Sequence, residues 1–167
     1  MKTFQSMRLE YSKFKEEEYL LYHELTSNEK VMHHIKGRTL TTVEIKKRFQ
    51  KVLNLNKRYV RPGVFVVRDL DTKDYVGLAK ATVYAKGEIE IGYAIMPSYW
   101  GNGLGTEISE TMVNYSRSIR KAKTIVGITD PANIASKRIL EKCGLSFFEE
   151  KLIDGLPGAV FKMNLSS

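Results

Sequence analysis

The chain has 167 residues, 43% of them hydrophobic, with one cysteine and a formal charge of +8. This length supports one buried core and a single domain over 1–167, and no run approaches the roughly 18 apolar residues of a membrane span. Cys143 alone excludes an internal disulfide, Met1 to Glu10 lacks the apolar stretch of a secretory leader, and the expected location is the cytoplasm, with no membrane partner.

In chain order, Met7 to Tyr11 alternates like a short strand. Phe14, Tyr19, Leu20, His23 and Leu25 then form an imperfect helical stripe over 14–25, with Glu16, Glu17 and Glu18 at its start, where the helix dipole favours negative charge. Val31 to His34 is expected in a loop. The adjacent His33 and His34 diverge and have no third ligand at a useful spacing, so no metal is expected, and a place on a substrate rim is the other reading. Thr41-Thr42-Val43-Glu44 is a capping box with Thr41 as N-cap, and it predicts a helix to Leu55 with the stripe Ile45, Phe49, Val52 and Leu53. Basic side chains gather at Lys46, Lys47, Arg48, Lys51, Lys57, Arg58 and Arg61, and again at Arg117, Arg120, Lys121 and Lys123. Solvated helix faces account for both groups, and without a zinc-finger, RNA-recognition or basic-zipper pattern nucleic acid is not the expected partner.

From Gly63 the period changes. Val64 to Val67 is a buried strand, Asp69 to Asp74 a turn and Tyr75 to Tyr84 a second strand, so a hairpin is expected. Glu88 to Met96 alternates most clearly, with Ile89, Ile91, Tyr93 and Ile95 on one face and Glu88, Glu90, Gly92, Ala94 and Met96 on the other. Two carboxylates followed by small residues either face solvent or flank a cleft, and Glu90 is the better functional candidate because Glu88 adjoins the turn. Pro97 ends regular pairing. Tyr99-Trp100-Gly101-Asn102-Gly103-Leu104-Gly105-Thr106 follows, a glycine run that is either a plain turn or an anion cradle made of main-chain N–H groups at a helix start.

Leu104, Ile108, Met112, Tyr115 and Ile119 stripe the next helix, and Thr124 to Ile128 is a buried strand, which makes a right-handed crossover between parallel strands. Asn133 is placed to cap a last helix over Ile134 to Cys143, closed by Gly144. Cys143 is expected as a small buried apolar residue rather than a nucleophile. Ser146 to Leu152 and Ala159 to Leu165 read as two final strands.

Glu90-Ile91-Gly92-Tyr93 with Pro97 and Tyr99 to Glu107, followed by Asn133-Ile134-Ala135-Ser136 and Leu140 to Leu145, resembles the GNAT N-acetyltransferase superfamily, in particular its RimJ/RimL-type branch. The resemblance extends to the order of elements over nearly the whole chain. It implies an α/β (α+β) GNAT fold, a mixed central sheet of about six to seven strands flanked by about four helices. It implies acetyl-CoA as cosubstrate, with its pyrophosphate on the N–H groups of Gly101, Asn102, Gly103, Leu104, Gly105 and Thr106, and Trp100 beside them. The pantetheine arm would pair with the strand edge at Ile95 and Met96, and Asn133 and Ser136 would flank the thioester. Glu90 is the implied general base, directly or through water, and a main-chain N–H near Met96 the oxyanion donor.

Two departures are visible. Trp100 stands where many members have Arg or Gln, and Leu140 where many have a tyrosine general acid, so Ser136 or water must protonate the departing thiolate. The glycine run lacks the third glycine of a dinucleotide fingerprint and any Gly-Lys-Ser/Thr, which disfavours NAD and ATP. The expected partner is a primary-amine acceptor, a protein N-terminus or a small molecule such as an antibiotic, polyamine or amino acid, handled by a monomer or homodimer. The rival is a non-catalytic CoA- or RNA-binding module. The positive charge argues against strongly cationic acceptors unless Glu88, Glu90, Glu149, Glu150 and Asp154 form an acidic patch.

Overall fold

The computed structural model describes residues 3–165, so the extreme ends of the expected 1–167 domain lie outside the described residues. Its centre is an eight-stranded sheet in the order β1-β2-β3-β4-β5-β6-β8-β7. The strands are β1 (Phe4–Gln5), β2 (Leu9–Lys13), β3 (Gly63–Asp69), β4 (Tyr75–Ala85), β5 (Glu88–Ile95), β6 (Thr124–Thr129), β7 (Ser146–Ile153) and β8 (Leu156–Asn164). Five helices accompany them: α1 (Tyr19–Thr26), α2 (Glu29–Lys36), α3 (Thr42–Arg58), α4 (Leu104–Arg117) and α5 (Ile134–Lys142). Every neighbouring pair is antiparallel except β5 and β6, which run parallel because α4 carries the chain over the sheet between them.

The central strands are buried on both faces of the sheet, and the alternation of β5 assigns them. Ile89, Ile91 and Ile95 join Ile108 and Met112 of α4 and Leu140 of α5 in one core. Ala94, one residue out of phase, joins Met32 of α2 and Ile45, Phe49 and Leu53 of α3 in the other. Ile108 and Met112 are fully buried, and each such side chain contributes about 1.5–3 kcal/mol relative to exposure. The capping box that opens α3 is formed in both directions, Glu44 N–H to Thr41 Oγ1 at 3.2 Å and Thr41 N–H to Glu44 Oε1 at 3.0 Å.

Three local expectations are corrected. The count of eight strands and five helices exceeds six to seven and four, because two-residue β1 pairs with β2 and because Val31 to His34 is helical rather than a loop. Asn28 accepts the Val31 N–H at 3.1 Å, and Gly37 closes α2 at φ 70°, so caps at both ends sustain a helix that buries only Val31 and Met32. Before α1, a 3₁₀ turn at Glu16–Glu18 rotates the chain more per residue than an α-helix does. The stripe therefore changes phase: Tyr22 and Leu25 enter the core and Leu20 is 76% exposed.

Candidate active site

The parallel pair β5 and β6 stays in register only from Glu88↔Thr124 to Ile91↔Gly127, although β5 runs on to Ile95 and β6 to Thr129. The two strands thus part in the middle of the sheet and leave a gap at their C-terminal ends. Met96 donates its N–H to the Val76 carbonyl at 2.8 Å, towards β4. Strand alternation then turns the main-chain groups of Tyr93 and Ile95 the other way, into the gap. The Ile95 carbonyl accepts the Trp100 indole N–H at 2.8 Å, leaving the Ile95 N–H and both Tyr93 groups as the open edge. The expectation of an open donor near Met96 narrows accordingly. Its N–H is already committed to β4, and Ile95, one residue earlier, holds the donor that faces the gap.

The glycine run sits at the mouth of this gap. Pro97–Tyr99 forms a 3₁₀ turn, then Gly101 and Gly103 adopt φ of 79° and 76°, left-handed values that cost a residue with a side chain about 1–2 kcal/mol. Gly103 is the N-cap of α4, and the first helical bond runs from Glu107 N–H to Gly103 carbonyl at 3.2 Å. Among the described residues, none of the six successive N–H groups from Gly101 to Thr106 has a protein acceptor. Unspent donors at a helix start can take an anion, which a turn with its N–H groups paired could not. Gly105 has a different role: a Cβ there would meet Ile139 Cδ1 at 3.0 Å and the Tyr93 hydroxyl at 3.2 Å, so its lack of a side chain brings α4 onto α5 and β5.

Asn133 caps α5, its side-chain oxygen accepting the Ser136 N–H at 3.1 Å. Both residues are half-buried. Burial pushes the Tyr93 phenol's pKa up, the neighbouring Ser136 side chain acting against that shift, so it stays protonated at neutral pH. Sequence reasoning missed Tyr93, assigning it to a hydrophobic face. The available signal was that a phenol among isoleucines needs a partner for its hydroxyl. Leu140 packs against Gly127, so no phenol is offered from α5 at that position.

Glu90 lies on the opposite face of β5, one residue before the strands part, and is four-fifths buried at its side chain. Lys80 of β4 lies across Gly92, and its Nζ reaches Glu90 Oε2 at 3.0 Å. The space left by Gly92 is therefore filled by a lysine stem. The other acids are also paired: Glu88 with Lys162 at 2.9 Å, Glu149 with Lys151 at 3.4 Å, and Asp154 with Lys36 at 3.6 Å. Only Glu150 of the expected acidic patch lacks such a partner among the described residues, so the patch is largely neutralised.

His34 Nδ1 meets Asp130 Oδ2 at 2.8 Å, joining α2 to the segment that leads into α5. Hydrogen bonds from His34 and then from the Ala132 N–H hold the Asp130 carboxyl below its usual range. Among the described residues, no three His, Cys, Asp or Glu side chains converge as a metal-holding group. Burial pushes the Cys143 thiol up to about 11, with Glu110 adding to the shift, as suits a packed thiol rather than a nucleophile.

A parallel pair that splits beside a glycine-rich helix start leaves main-chain N–H groups and an open strand edge at one opening in the sheet. The chain belongs to the acetyltransferase (GNAT) domain family, whose model matches residues 8–146. It is 33% identical over 90 residues to the uncharacterized N-acetyltransferase YoaA of Bacillus subtilis, covering 53% of this chain and 49% of that protein. To the uncharacterized protein YkkB of the same organism it is 25% identical over 108 residues, 61% of this chain and 63% of that one. The chain thus spans between about half and two thirds of these curated relatives.

Solved structures match more completely. A GNAT-family acetyltransferase from Bacillus anthracis superposes with a TM-score of 0.80 at 22% identity, covering 98% of both chains. The ribosomal-protein-S5-alanine acetyltransferase of Vibrio fischeri gives 0.78 at 15%, covering 98% of this chain and 97% of its own. The spermidine N-acetyltransferase of Vibrio cholerae, solved with CoA and spermine, gives 0.76 at 19%, covering 94% and 95%. These neighbours share the GNAT fold and differ in their acceptors.

Proposed function

We propose that the chain is a single acetyltransferase domain that transfers the acetyl group of acetyl-CoA to a primary amine. The observation that carries this reading is the run of unspent N–H groups from Gly101 to Thr106 beside the parted strands. The donor set fits the cosubstrate: those N–H groups would hold its diphosphate, and the Tyr93 and Ile95 edge its amide-bearing arm. Acetyl-CoA supplies an acyl group activated as a thioester.

The remaining chemistry falls to side chains of this chain. Glu90, directly or through a water, accepts the proton that the acceptor amine must lose, and the Lys80 pair has to open for it to do so. The Ile95 N–H stands where a carbonyl oxygen drawn into the gap would be stabilised. Ser136, backed by the Tyr93 hydroxyl, returns a proton to the departing sulfur, with water as the other source.

Pairing of four of the five acids with lysines favours an acceptor whose amine is a peptide α-amino group or resembles one, over a polyamine. Thiol release from acetyl-CoA with a panel of peptides, amino acids, aminoglycosides and polyamines tests both parts. Turnover on peptides with little on spermidine is expected. Preferential turnover of spermidine would overturn the acceptor reading, and no thiol release with any amine would overturn the enzymatic one.

A further inference from the structure

The stretch 99–106 carries no basic side chain of its own, yet one cation is hydrogen-bonded to it from the other end of the chain. Arg8, in the turn between β1 and β2, donates from Nη1 to the Asn102 carbonyl at 2.9 Å. Its Nε donates to Glu107 Oε2 at 2.7 Å, and its main-chain N–H to Glu107 Oε1 at 2.7 Å. Ser6 Oγ adds a third bond to the same carboxylate at 2.7 Å. Glu107 is in the first turn of α4, so the guanidinium is fixed to the helix at one nitrogen and to the loop at another.

Asn102 lies between the two left-handed glycines, where the backbone is least restricted. In a trans peptide the carbonyl of one residue and the N–H of the next point in opposite directions. Holding the Asn102 carbonyl on the Arg8 side therefore aims the Gly103 N–H away from Arg8, into the cradle. Asn102 Nδ2 steadies the other flank through the Tyr99 carbonyl at 3.1 Å and the Trp100 carbonyl at 3.3 Å.

We infer that Arg8 is a positioning residue for the cosubstrate's diphosphate: it clamps Asn102 to Glu107 and so presets the N–H cradle. This inference rests on the acetyl-CoA reading above. A lysine at position 8 keeps a charge beside Glu107 but has a single nitrogen, which cannot occupy both anchoring positions.

The experiment compares wild type, Arg8→Lys and Arg8→Ala with two donors, acetyl-CoA and S-acetylpantetheine, which lacks the diphosphate. CoA binding is measured separately by titration calorimetry. Both variants are expected to raise the KM for acetyl-CoA and the Kd for CoA about tenfold, the loss of roughly one charge-assisted hydrogen bond, with kcat within about threefold of wild type. Their kcat/KM with S-acetylpantetheine should match wild type. Equal losses with both donors would reduce Arg8 to a structural residue, and an unchanged acetyl-CoA KM in Arg8→Lys would overturn the clamp. Arg8→Lys, which retains the Glu107 attraction, decides the matter if Arg8→Ala does not fold. Failure of the wild type to bind CoA would instead overturn the acetyl-CoA reading, a result independent of either variant.

Discussion

The two sides of the β5–β6 gap are built from different materials. On the glycine side the working groups are main-chain N–H groups, fixed by left-handed glycines, a helix start and the Trp100 indole bond. On the Glu90 side stand side chains in ion pairs, Glu90 with Lys80 of the adjacent strand β4 and Glu88 with Lys162 of β8. A main-chain cradle suits a cosubstrate of constant chemistry, whereas a surface of exchangeable side-chain pairs suits an acceptor that differs among relatives of one fold. Damage to one side should consequently leave the other's constants unchanged.

The largest expected effect lies on the side-chain half. Glu90→Gln removes the proposed proton acceptor and preserves the shape of the strand, so kcat at neutral pH should fall by about 10²–10⁴ with the acetyl-CoA KM unchanged. Steady-state kinetics with each substrate varied in turn provides the check. Full activity in this variant would remove Glu90 from the chemistry, and a parallel loss of acetyl-CoA affinity would show that the two halves are not separable.

Next in size is a change on the main-chain half. Gly105→Val puts branched carbons where even a Cβ would stand 3.0 Å from Ile139 and 3.2 Å from Tyr93. Overpacking of this kind costs about 1–3 kcal/mol, and it would push the start of α4 off β5. Thermal denaturation should show the loss of stability, and CoA affinity should fall with it, because the N–H groups of Leu104, Gly105 and Thr106 move with the helix. Unchanged CoA binding in a destabilised variant would mean that the cradle tolerates displacement of α4.

The same division governed what could be read in advance from the sequence. The strand alternation at 88–96, the glycine run and the α4 stripe are local patterns, so the chain's order displays them and the fold follows. Asn28 and Gly37 were equally local, but only two buried apolar residues lie between them, too few to mark α2 by periodicity. The phase error at Leu20 came from a 3₁₀ turn that no hydrophobic pattern encodes. Lys80 over Gly92, Tyr93 beside Ser136 and Arg8 on Glu107 depend on strand register and on a fold that joins positions up to 99 residues apart. Met96 shows the limit most sharply: its position at the strand end was legible, but whether its N–H faced β4 or the gap depended on a one-residue alternation fixed by pairing.

The smallest effect concerns the link between α2, which packs on the Glu90 face of the sheet, and the segment before α5. Asp130 is hydrogen-bonded by His34, which keeps its folded pKa below that of an unfolded aspartate. For a carboxyl shifted in that direction, the stabilisation is full above the unfolded pKa and is lost as the pH falls through the folded one. Both side chains are a third or more exposed, so solvent screening limits the contribution to about 0.2–1 kcal/mol. His34→Ala should therefore lower stability by that amount at pH 6, and the gap from wild type should close as the pH drops below the ordinary aspartate range. Denaturant unfolding across pH 3 to 6 measures the gap directly. The same variant should raise the acceptor KM more than the acetyl-CoA KM, because α2 packs on the face of the sheet that carries Glu90 and His34 touches none of the N–H groups from Gly101 to Thr106. A change confined to the acetyl-CoA KM would place α2 with the cosubstrate instead and end the division between the two sides.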